Sequence, residues 1–73
     1  MIEDLTFEKH GLHTYISFHG MQIGRILSNY APYGSVVCMD ENFLQFPYST
    51  RCEITKTCWE QAKLIDITAR LTK

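Results

Sequence analysis

Through the first half of the chain, apolar and polar residues alternate with a period of two. After Pro47 the spacing lengthens to that of a helix. The clearest alternation surrounds His19-Gly20, a two-residue turn in which glycine accepts a positive φ. Pairing outward from this turn opposes Phe18 with Met21, Ile16 with Ile23, Thr14 with Arg25 and Leu12 with Leu27, so one face is mostly apolar on both strands. His13, Tyr15, Ser17 and His19 then fall on the other face, with Gly24 opposite Tyr15. Leu5 and Phe7 alternate with Thr6 and Glu8 in a first strand, which Lys9-His10-Gly11 turns into Leu12. Asn29 to Gly34 reads as a loop punctuated by Pro32 and Gly34. Ser35 to Met39 and Phe43 to Phe46 are two further candidate strands about the polar turn Asp40-Glu41-Asn42.

From residue 51 to 72 the pattern predicts a helix with two separate apolar stripes. At ~100° per residue, Ile54, Cys58, Ala62, Ile65 and Ala69 share an arc of roughly 80°, flanked by Trp59. Leu64, Ile67 and Leu71 form a second arc about 220–280° around, bordered by Glu53 and Glu60. Lys56, Lys63, Asp66 and Arg70 fill the polar wall between. Two Thr-x-x-Glu boxes, Thr50 to Glu53 and Thr57 to Glu60, each offer a helix start. Residues 65–71 also alternate as a half-buried strand would. Helix prevails because Glu60, Gln61, Ala62 and Lys63 are good helix formers and no Gly or Pro follows Pro47.

Sequential hairpins followed by one amphipathic helix predict an α+β fold, an antiparallel β-meander of four to five strands covered on one face by a single C-terminal α-helix. The length allows a single domain over residues 1–73, with strands within 2–48 and the helix within 51–72. Such a chain buries only about 60% of its unfolded surface, so its stability is marginal and a partner is attractive. The sheet's outer face and edges are free to meet other chains.

Charge and chemistry narrow the functional classes. A net charge of −1 argues against a general polyanion binder, leaving Lys56, Lys63 and Arg70 as the one basic strip a nucleic acid could use. His10, His13 and His19 with Cys38, Cys52 and Cys58 supply zinc-ligating atoms, but no Cys-x-x-Cys pair is present, so no metal or cofactor is expected. A Cys-His nucleophile lacks the enclosed pocket such chemistry needs, which points away from an enzyme. Three cysteines exclude a complete disulfide framework. With no secretory leader or membrane-spanning run legible, they predict a cytoplasmic protein with reduced thiols.

The reading that follows is a protein-interaction module, an adaptor or inhibitor whose partner is either a second copy or a foreign protein complex. Leu64, Ile67 and Leu71 are its expected seam, with Tyr15, Tyr30 and Tyr33 as aromatic contacts and Asp40 and Glu41 as an acidic tip. In size, near-neutral charge and lack of catalytic residues the chain resembles the small accessory proteins of phages and mobile elements, including inhibitors of host defence. That likeness is one of general character and carries no site.

Overall fold

The computed structural model describes residues 3–30 and 34–71, the side chains of residues 29, 30 and 69–71 excepted. Strands β1 (Leu5–His10), β2 (His13–Phe18), β3 (Met21–Tyr30) and β4 (Gly34–Met39) form one antiparallel sheet in the order β1-β2-β3-β4. A 3-10 helix, Glu41–Gln45, then leads into helix α1, Tyr48–Leu71. The architecture is α+β, with α1 packed on one face of the sheet, chiefly over β4 and β3. Residues 65–71, whose alternation also suits a strand, are helical.

The turns follow from backbone chemistry. Gly11 opens the β1–β2 turn at φ 63°, and His19 and Gly20 both take positive φ, 52° and 78°, the pattern that matches the right-handed twist of a hairpin. His19 therefore leaves the outer face expected of it, packing its ring against Phe18 at 4.2 Å and pairing Nδ1 with Asp4 at 3.3 Å. Leu12, expected on a strand, sits in the first turn and is exposed.

The β2–β3 register begins as expected, Phe18 opposite Met21, and then shifts at a bulge: Ser17 faces Gln22 and Ile16 faces Gly24. Ile23 is the extra residue. Beyond it Thr14 meets Ile26 and His13 meets Leu27, while Arg25 moves opposite Tyr15 on the outer face. The reason is electrostatic, since an unshifted strand would point the Arg25 guanidinium into the core without a partner. Gly24, expected opposite Tyr15, faces Ile16 instead and is buried against β4.

The expected fifth strand is instead the 3-10 helix. Phe43 and Phe46 are three residues apart, a spacing that a strand would send to opposite faces and a three-residue turn sends to one. Both pack against the core, Phe46 edge-on to Phe18 at 5.1 Å. Asn42 Nδ2 donates to Gln22 O at 3.1 Å and Asp40 N to Ile23 O at 2.7 Å, fastening the segment to β3.

Helix α1 starts before either threonine box. Arg51 N donates to Pro47 O at 2.9 Å and Arg51 Nε to Phe46 O at 3.0 Å, so the chain enters the helix directly from proline. Thr50 lies inside the first turn. Thr57 Oγ1 donates to Glu53 O at 3.0 Å, the back-bond of a mid-helix threonine and not a cap. The core joins Ile16 and Phe18 of β2, Ile23 and Ile26 of β3, and Ile54, Cys58 and Ala62 of α1, with Ile65 packed at its margin. Near its end the helix is tied to β4: Ser35 N and Oγ donate to the Asp66 carboxylate at 3.2 and 2.7 Å. Gly34, at φ 81°, leaves room for that carboxylate, because a Cβ there would meet Asp66 Oδ2 at 2.9 Å.

Candidate protein interface

Because Ile54, Cys58 and Ala62 are spent on the sheet, the opposite side of α1 faces away from it. Leu64 is 57% exposed and Ile67 42%, although both are large aliphatics on a folded helix. Trp59, at the edge of the core stripe, is 48% exposed, with the exposed Lys56 and Lys63 near it in sequence. The polar wall is not uniformly solvated, since Asp66 is committed to Ser35. Leu71 and Arg70 have side chains outside the described residues, as does Tyr30, and Tyr33 lies outside them entirely.

The uncovered face of the sheet carries a second group. Cross-strand pairing aligns Glu8, Tyr15, Arg25 and Cys38 in one row and His10, His13, Leu27 and Val36 in the next. Tyr15 is half-buried between the histidines, stacked on His13 at 6.2 Å and tilted against His10 at 5.4 Å. His10 Nε2 lies 2.9 Å from Glu8 Oε1. His13 Nδ1 is shielded from solvent without a hydrogen-bond partner. Among the described residues no group of three or more His, Cys, Asp or Glu is placed to hold a metal ion.

Asp40 and Glu41, read as an acidic tip, separate in role. Asp40 is half-buried and accepts from Gln22 Nε2 at 3.3 Å, whereas Glu41 opens the 3-10 helix and is exposed. Where that helix meets α1, Phe43, Tyr48, Arg51, Cys52, Thr55 and Lys56 line a shallow hollow of about 420 Å³. The neighbouring Cys52 raises the Tyr48 hydroxyl above the usual phenol value, and Arg51 opposes the shift. The Arg51 guanidinium lies 5.8 Å from the Tyr48 ring centroid. Nothing in the spacing of Phe43 and Cys52 announced this hollow, because it depends on the 3-10 turn.

All three cysteines are free, Cys38 and Cys52 exposed and Cys58 buried, with burial pushing the Cys58 thiol up to about 12. A disulfide reagent applied to the native protein at about pH 8 is therefore expected to consume two thiols promptly and the third only after unfolding. Three prompt thiols would mean that α1 is not docked.

No helix among the described residues is long and apolar enough to cross a membrane. Comparison with protein-family models, curated proteins and solved structures finds no match.

Proposed function

We propose that this chain is a non-enzymatic protein-interaction module, an adaptor or inhibitor that works in the cytoplasm through the outer face of α1. The observation that carries the reading is the exposure of Leu64 and Ile67 on the side of the helix away from its own core. Water contact with two such side chains is a standing cost that a protein partner removes, at ~25 cal/mol per Å² of apolar surface covered. Free thiols at Cys38 and Cys52 suit a reducing compartment.

Affinity capture from the native host's lysate tests the reading, with the wild-type chain and Ile67→Glu as paired baits. A polypeptide retained by the first and lost from the second is expected. Identical captures on both baits would count against the helix face as a binding surface.

A second reading, contact with a nucleic acid, draws on the exposed Trp59 near Lys56 and Lys63 in sequence. The net charge of −1 leaves it second.

A further inference from the structure

Four strands spaced about 4.8 Å apart make a sheet roughly 14 Å across from first to last. One helix with its side chains is about 10 Å wide. Since α1 lies chiefly over β4 and β3, it cannot also cover β1. The register sets Leu5 beside Phe18, Phe7 beside Ile16 and Lys9 beside Thr14, so these three residues of β1 share the face that carries the core. Leu5 and Phe7 touch the core yet keep part of their surface in water, and Lys9 is exposed.

The chain thus holds two uncovered strips of matching chemistry. Along α1 they run Glu60, Leu64, Ile67, acidic and then twice apolar, over about 10 Å at 1.5 Å per residue. Along β1 they run Lys9, Phe7, Leu5, basic and then twice apolar, over about 13 Å at 3.3 Å per residue. Neither Lys9 nor Glu60 is in an ion pair among the described residues.

The geometry points to a second copy of this chain as the occupant. Two copies associate about a two-fold axis, each laying its Glu60-Leu64-Ile67 strip over the other's Lys9-Phe7-Leu5 strip, with Glu60 meeting Lys9, Leu64 meeting Phe7 and Ile67 meeting Leu5. The inference rests on the interaction-module reading and names its partner. It also accounts for the helix having apolar residues on two sides, one toward its own sheet and one toward a neighbour's.

Sedimentation equilibrium over a wide concentration range tests it with charge reversals at exposed positions, which leave the fold intact by circular dichroism. The wild type is expected to approach twice 8.5 kDa. Lys9→Glu alone and Glu60→Lys alone each raise the dissociation constant about tenfold, the reversal counting twice by symmetry. The two together in one chain restore it. A monomer at every concentration, or reversals that do not compensate, overturns the second copy as occupant. If the monomeric chain still loses a captured protein on Ile67→Glu, the module reading stands without it.

Discussion

Ile54→Ala is expected to remove about 3 kcal/mol of folding stability, a large share of what a domain this small can have. Ile54 is fully buried in the cluster that joins β2, β3 and α1. Its truncation loses the transfer energy of three carbons and leaves a void that a close-packed core fills only in part. Urea unfolding followed by circular dichroism measures the loss as a lower midpoint at unchanged slope. Ile67→Ala, one residue type on one helix, is the matched control. In the unassociated chain it should cost under about 0.5 kcal/mol, because Ile67 is 42% exposed and touches no core. Equal costs at the two positions would show that the helix docks by another face.

Gly24→Ala is expected to cost about 2 kcal/mol, through crowding and not through backbone conformation. A Cβ at this position would lie 2.6 Å from Cys38 O, 2.9 Å from Met39 Sδ and 3.1 Å from Met39 Cα. The Met39 side chain can swing aside. The Cys38 carbonyl cannot, because it belongs to the neighbouring strand, so β4 itself has to move. Amide shifts in an NMR spectrum of the variant should accordingly concentrate in β3 and β4. Gly20→Ala offers a contrast, since its Cβ meets nothing within 4 Å and only its φ of 78° resists the change. A Gly24→Ala chain as stable as the wild type would mean that the bulge is placed elsewhere.

Much of this architecture was legible because period-two and period-3.6 patterns report directly on which face is buried. The His19-Gly20 turn, the Phe18–Met21 pair and the Ile54, Cys58, Ala62 stripe all follow from that rule. The bulge at Ile23 did not, although Gly24 inside a strand and Arg25 on the apolar parity were its signals. Residues 43–46 fit a strand as well as a 3-10 turn, because four residues with three apolar members suit either form and only the odd spacing of Phe43 and Phe46 separates them. The threonine boxes misled for a different reason. A capping side chain matters where donors are orphaned, and the turn formed on Pro47 had already placed Thr50 inside the helix. Of the candidate interface, the exposed stripe was visible in the pattern. The bare flank of β1 was not, since it depends on where across the sheet the helix comes to rest.

The strand order β1-β2-β3-β4 follows the chain, so each strand pairs with its immediate predecessor. Ring closure within the sheet is therefore short at the two tight turns, and little chain entropy stands in the way of pairing. Docking the helix is different, because the Ser35–Asp66 clasp joins residues 31 apart. Docking the helix therefore closes a longer loop than either tight hairpin turn, at a greater cost in chain entropy. It is also what keeps Ile16, Ile23 and Ile26 dry, so a chain whose helix came loose would present those isoleucines as an adhesive face.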